Sequence, residues 1–329
     1  MSYLELIIPF AIPPAAHAKD LLRQLHMPAF ERLCGFSRLR EQKKFEDWDA
    51  ALPHERWLFP SAAAQSPANT HNRMHTLGLV FEEGYWLSLH PVHIHIARDH
   101  LVLTDFRRLA IKEEEARALF DVAQDCCAEF GKTLLWGDNN NWFLRADTWQ
   151  DLQTASQDAA CGHAIDIWMP KGESAREWRK LQNEIQMLWH GHPLNHAREE
   201  QGLRTINSLW IDSGSTQVLD STAARPALDA SEGFAALASR LQDHNGVKPK
   251  RIYFPQLIES ALNNDWGLWL QEMQKLETNT FAVIERIMLS KEVKHVDLIL
   301  SDAQQIITLE LQAKKFWSFW RKPSLQKIL

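Results

Sequence analysis

The sequence predicts an α/β protein in two unequal lobes. Three observations carry this. Strand-length apolar runs alternate with segments whose apolar residues recur at three- and four-residue steps over much of the chain. At 329 residues there is material for one large domain or two ordinary ones. Hydrophobic residues make up 45% and charged residues 24%, which supplies a sizeable core and excludes wholesale disorder.

Residues 3–10 (YLELIIPF) read as a buried first strand with Pro9 near its end. Residues 17–34 carry a helical pattern, with Leu21, Leu22, Leu25 and Met27 on or near one face. A charged stretch at 40–49 leads to a Ser-, Ala-, Pro- and Asn-rich connection at 59–73. Residues 85–103 are strand-like, with Val92, Ile94 and Ile96 alternating with His93 and His95. Residues 113–130 form a helix on Ala116, Leu119, Phe120, Ala123, Cys127 and Phe130, with three glutamates in its first turn and Gly131 at its end. Ser174 and Glu177 make a capping-box pattern for the next helix, whose apolar stripe is Trp178, Leu181, Ile185 and Leu188. Residues 251–254 are a short strand, followed by a helix from about Pro255. Asp265 caps a longer helix with Trp269, Met273, Leu276, Ile284 and Ile287 on one broad face. Residues 296–300 and 306–311 are two strands joined at 301–304.

Composition excludes several function classes. Lys and Arg number 36 against 42 Asp and Glu, a net charge of −6, so there is no global cationic field and no nucleic-acid partner is expected. No run of 18 apolar residues occurs, and the N-terminus lacks a basic region and a cleavage site, so neither a membrane span nor a signal peptide is predicted. The four cysteines, Cys34, Cys126, Cys127 and Cys161, show no C-x-x-C spacing and read as reduced thiols of a cytoplasmic protein. The 14 tryptophans against 3 tyrosines read as core filler. No Gly-rich phosphate loop, dinucleotide fingerprint, nucleophile elbow or H-E-x-x-H is present, and no cofactor is expected.

Three constellations could carry chemistry. His93 and His95 are two apart on a strand and face the same way, so two imidazoles could share a metal ion, with His90 as a further weak candidate, but the sequence names no third ligand and 15 histidines make one His-x-His unsurprising. His192, Asn195, Arg198, Arg204 and Asn207 converge on a polar turn and could hold a small phosphorylated or carboxylated ligand through forked guanidinium and amide donors. The competing role for Arg198 is structural, tied to Glu199, Glu200 or a carboxylate elsewhere in the same lobe. Lys314, Phe316, Trp317, Trp320 and Arg321 begin a basic aromatic tail that either meets a protein partner or membrane surface or packs on its own lobe.

The His192-Pro193-x-Asn195-x-x-Arg198 turn, followed by Ile206-Asn207-Ser208-Leu209-Trp210 and the Gly-rich end Asp212-Ser213-Gly214-Ser215, resembles a stretch of the archaeal-type cofactor-independent phosphoglycerate mutases over roughly 130 residues. Over nearly its whole length the chain looks more like a bacterial family, the regulatory protein RpfE type. That similarity rests on Thr154-Ala155-Ser156, the L-Q-N-E-x-Q-M helix from Leu181 to Met187, the same turn, the D-W-x-x-W helix from Asp265 to Trp269, and the Phe/Trp-rich basic tail. The resemblance implies an alkaline-phosphatase-like fold, with residues 1–84 and 216–329 as a degenerate phosphatase-like lobe and 85–215 as an inserted phosphoglycerate-mutase-like lobe. Mutase chemistry needs two metal ions and a Ser or Thr nucleophile. Here prolines follow the first strand, RIYFPQLIESALNNDW has no histidine, and only Asp302 remains where a metal pair would stand. The expectation is a non-catalytic regulatory or ligand-binding protein. The alternative is a metal-dependent phosphoglycerate mutase or phosphatase with relocated ligands.

Overall fold

A computed structural model describes residues 3–60, 70–217, 225, 227–231, 234, 250–315, 323–325 and 328. The chain divides into two compact units, Met1–Asp47 with Arg225–Leu329, and Trp48–Ala224.

The first unit is built on a mixed six-stranded sheet. Tyr3–Ile8, apolar enough to be buried on both faces, lies at its centre. It runs parallel to Lys250–Tyr253 on one side and to His295–Ser301 on the other, with Leu4 opposite both Lys250 and Val296. Residues 3–8 and 296–300 thus share one sheet, as the two-lobe reading requires. Gln305–Gln312 returns antiparallel from His295–Ser301, and the expected turn joins them. The charged stretch forms the edge strand Arg38–Lys44, exposed along its whole length, where lysines and arginines discourage pairing with another chain. Pro28 at the first helical position splits the 17–34 pattern into Ala18–Gln24 and Pro28–Phe36.

Asp265 caps Trp266–Leu276 by accepting from the Leu268 N–H at 3.0 Å, and the Trp269 indole N–H donates to the Phe10 carbonyl at 2.9 Å. A π-turn at Glu277–Phe281 then shifts the helical phase, so Ile284 and Met288, and not Ile287, are the buried residues of Ala282–Leu289. Lys314 is exposed; Phe316, Trp317, Trp320 and Arg321 lie outside the described residues. No helix among the described residues is long and apolar enough to cross a membrane.

The second unit carries a four-stranded antiparallel sheet in the order Thr133–Trp136, Trp142–Arg145, Trp86–Val92, Ser208–Ser215. Period-two alternation divides its faces. Leu87, Leu89, Leu209 and Ile211 meet the helices Glu113–Glu129 and Ala175–His190 in a core that also holds Trp142, Trp149, Trp178 and Trp189. On the helix Ala175–His190, Trp189 takes the place expected of Leu188, which is 46% exposed. The capping box does not form: Ser174 Oγ donates to Asp151, and Glu177 accepts the Trp149 indole N–H at 2.7 Å.

Two further differences concern boundaries. The 85–103 stretch is not one strand. It breaks after Val92 into a separate ribbon, Ile94–Ala97 with His100–Leu103, and Ile96 is 75% exposed on it. The helices Pro53–Leu58 and Thr70–Thr76 belong to this second unit and not, as the sequence division had it, to the first. Thr70–Thr76 is fastened to the sheet: Thr70 Oγ1 meets Ser88 Oγ at 3.1 Å, and Met74 packs against Trp86 and Phe143.

Candidate functional site

The sheet face turned away from the two long helices carries polar side chains beside the Met74, Trp86 and Phe143 cluster. Alternation places Ser88 and His90 there from one strand, Trp210 and Asp212 from its neighbour, and Ser88 lies directly opposite Asp212. A cavity of about 460 Å³ opens over this face, within the size range of small-molecule sites. Each wall has an identifiable fastening. The Trp210 indole N–H donates to the Ala155 carbonyl at 2.9 Å and so pins the Thr154-Ala155-Ser156 segment across the sheet. Ser156 Oγ accepts from the Ala159 N–H at 3.1 Å and donates to Glu55 Oε2 at 2.7 Å. That helix start presents Gln157 and Asp158 to the cavity. Glu55 is fixed from its own side too, since Oε2 accepts the Leu52 N–H at 2.7 Å.

Asp212 owes its direction to a bulge. Leu87 faces Gly214 and Ser88 faces Asp212, which leaves Ser213 as the extra residue. Its φ of 48° is in the left-handed region, and the fully buried serine donates to Asp212 Oδ1 at 2.9 Å. No side chain fits at the next position, because a β-carbon on Gly214 would fall 2.0 Å from the Tyr85 hydroxyl. Arg73 is aimed by the start of its helix. The Ser215 hydroxyl accepts from the His71 N–H at 3.1 Å and is hydrogen-bonded to His71 Nδ1 at 2.7 Å, two residues before Arg73. The loop 138–141 folds around Asp138, whose Oδ1 accepts the N–H groups of Asn140 and Asn141 at 2.8 and 2.9 Å. His90 Nδ1–H donates to the Asn140 carbonyl at 2.8 Å, which turns Nε2 toward Asp212 Oδ1 at 3.2 Å.

The lining holds four carboxyl groups, Glu55, Asp138, Asp158 and Asp212, and two guanidiniums, Arg73 and Arg107. Arg107 grips Asp158 with two bonds of 2.9 and 2.8 Å and reaches Asp105 at 3.0 Å. Arg73 touches Asp212 Oδ1 with Nη1 alone, at 3.3 Å, and its side chain is 30% exposed. Its Nε and Nη2 have no bond to the described residues, nor have the side-chain amides of Asn140 and Gln157. Burial works against the Asp212 charge, but His90 and Arg73 outweigh it and hold the carboxyl at about 2. Burial and the neighbouring Asp158 charge push Glu55 the other way, up to about 8, against the bonds from Ser156 and Leu52. Burial brings His54, on the same helix, down to about 4 and so keeps it neutral. Two carboxyls in one cavity are thus held in opposite states near neutral pH.

The turn named by the sequence has a different character. Arg198 is 1% exposed, with Nε bonded to the Arg204 carbonyl, Nη1 to Glu115 Oε2 and Nη2 to the Leu109 carbonyl, each at 2.7 Å. Asn195 donates to the Trp189 and Ile206 carbonyls and accepts from the Ile206 N–H. Asn207 makes a two-way bond with the Ile94 backbone, at 2.8 Å in each direction. His192 caps its helix by accepting from the Leu194 N–H at 3.2 Å. Arg204 is exposed and reaches Thr104 Oγ1 at 3.4 Å. Of the two roles open to Arg198, the structure has the structural one, with Glu115 as the carboxylate. Asn195 and Arg198 are both buried, with their side-chain polar groups bonded within the protein.

The three histidines do not converge. His90 lines the cavity, while His93 and His95 stack on each other 5.7 Å apart, with Nδ1 bonded to Thr205 and Thr104 respectively. Burial lowers the pKa of both, and the Arg204 charge adds to it. Among the described residues no group of three or more His, Cys, Asp or Glu is placed to hold a metal ion. The di-metal site implied by the resemblance also fails a residue test in the first unit. Asp302, the remaining carboxylate, caps its own turn by accepting from Gln304 and Gln305 N–H groups at 2.7 Å each. A carboxylate so engaged, followed by no histidine ligand, does not fit a metal pair.

No sequence motif points to Glu55, Arg73, Arg107 or Asp158. Asp212 stands in the family-like stretch without an assigned role, and of the candidate residues that are described, His90 lines the cavity. A turn-forming Asp-Asn-Asn-Asn run at 138–141 and a Ser-Gly-Ser bulge after Asp212 were the available signals.

No protein-family model and no curated protein matches the chain. Among solved structures, the PH0037 protein from Pyrococcus horikoshii matches over 94% of this chain and 87% of its own, at 11% identity and a TM-score of 0.50. A cofactor-independent phosphoglycerate mutase from Thermoplasma acidophilum matches over 94% and 89%, at 10% identity and a TM-score of 0.43. At these identities the likeness concerns the fold alone: a mixed α/β sheet unit with a second, antiparallel sheet unit.

Proposed function

We propose that the chain is a non-catalytic ligand-binding protein, of the regulatory RpfE type suggested by its motifs, on a phosphoglycerate-mutase-like architecture. The observation that carries this is the cavity of the second unit. It is built from fastened side chains, yet it leaves the Nε and Nη2 of Arg73 and the amides of Asn140 and Gln157 without bonds to the described residues. A guanidinium with an open edge in a small cavity is a receptor for a phosphate or carboxylate group. The engagement of Asp302 in its own turn supports the absence of mutase chemistry.

Calorimetric titration with small phosphate esters and hydroxy acids tests the binding half. Saturable binding that Arg73→Ala removes agrees with it, and no heat from any of them contradicts it. For the catalytic half, about two tightly held Mn or Zn ions per chain after dialysis, with phosphatase activity, would overturn the reading.

A further inference from the structure

We propose that the ligand of this cavity is a small zwitterion, with an anionic group held by Arg73 and a protonated amine held by Glu55. This rests on the reading that the cavity binds a small anion, and it names the other end of that ligand.

The argument begins with a charge inventory. Asp158 has Arg107 as a bidentate partner, and Asp212 has Arg73 and His90. Asp138 is consumed by its own loop. Asp138 and Glu55 both have only uncharged donors, but Asp138 accepts on both oxygens from its own loop, whereas the Ser156 hydroxyl and the Leu52 N–H both sit on Oε2 of Glu55. Its Oε1 has no partner among the described residues. The groups that face Glu55 are Asp158 and Ser156 from the segment above it, Asp212 from the sheet, and Leu52 from its own helix start.

A carboxyl in this position has two ways to be neutralised. It can hold a proton, which burial favours in the empty cavity. It can also give that proton up to a cation that enters with the ligand. An ammonium supplies a charge-assisted bond to Oε1 and offsets the excess of four carboxyls over two guanidiniums in the lining. A purely anionic ligand leaves Glu55 neutral and still meets the three other carboxyls against two guanidiniums in the lining. Arg73 supplies the matching site for the ligand's anion, and the cavity has room for both ends of a compact molecule.

The test uses two matched pairs that differ only in amine against hydroxyl: phosphoethanolamine with 2-hydroxyethyl phosphate, and β-alanine with 3-hydroxypropanoate. Calorimetry at pH 7 is run in two buffers of different ionisation enthalpy. At least one amine should bind tenfold or more tightly than its hydroxyl partner and release a proton from the wild-type protein. Glu55→Gln should erase the preference yet still bind the hydroxyl compound. Equal or tighter binding of both hydroxyl compounds, or amine binding without proton release, overturns the zwitterion while the anion-binding reading stands. If none of the four binds, both fall. The wild-type comparison needs no variant, so it holds even if Glu55→Gln folds poorly.

Discussion

The 192–207 turn and the cavity over the antiparallel sheet use the same kinds of residue to opposite ends. Both combine arginine, histidine, asparagine and a carboxylate. In the turn, Arg198 bonds through all three of its nitrogens, and Asn195 and Asn207 use both ends of their amides. In the cavity, Arg73 bonds through one nitrogen, and the side chains of Asn140 and Gln157 have no protein bond among the described residues. What separates a fastener from a receptor is how much hydrogen-bonding capacity the fold leaves unspent. Residue type and spacing do not report this.

Breaking the fastener should have the largest effect. Arg198→Ala strands the Glu115 carboxylate and the carbonyls of Leu109 and Arg204, at a cost of ~3–5 kcal/mol for a buried pair losing one partner. Urea denaturation should show this as a lower midpoint at an unchanged slope. Arg73→Ala should do the reverse. Ligand affinity should fall by the ~1.5–3 kcal/mol of a charge-assisted bond, while stability drops by less than half the Arg198→Ala loss. If the two variants exchange these phenotypes, the contrast between the regions is wrong.

A pH series sharpens the contrast from the cavity side. Folded Glu55 keeps its proton up to about pH 8, against an ordinary 4.5. Between those values the folded state binds a proton that the unfolded chain lacks, so stability falls as pH rises through the window, by at most ~1.4 kcal/mol per pH unit. Glu55→Gln should lack that slope. Its stability relative to wild type should rise from pH 5 to pH 8 and level off below about pH 4.5. Parallel wild-type and variant curves across the whole range would mean that Glu55 is ionised in the folded protein. The smallest effect belongs to Asn207→Ala, which frees one backbone N–H and one carbonyl of Ile94 and should cost about 1 kcal/mol with no loss of ligand.

Features governed by neighbours in sequence were legible. The central strand at 3–8, the two strands joined at 301–304 and the Asp265 cap follow from apolar runs and a helix-start residue. The family-like motifs were legible too, but most prove to be fasteners. Gln182 of the L-Q-N-E-x-Q-M helix bonds the Leu209 carbonyl at 2.7 Å, Trp269 bonds Phe10, and Arg198 bonds Glu115. Among the described residues, Thr154-Ala155-Ser156 borders the cavity through the Ala155 carbonyl, which Trp210 bonds, and the Ser156 hydroxyl, which bonds Glu55. The cavity itself was hidden because Glu55, Arg73, His90, Arg107, Asn140, Asp158 and Asp212 come from seven separate segments with no common spacing. The bulge at Ser213, which aims Asp212, depends on strand register that no local pattern encodes.

The most direct test of where this protein binds its ligand is an amide chemical-shift titration with phosphoethanolamine. Perturbations concentrated at 138–141, 155–158 and 212–213, with those at 192–207 unmoved, are the predicted result. Perturbations centred on 192–207, with the cavity loops silent, would contradict the account.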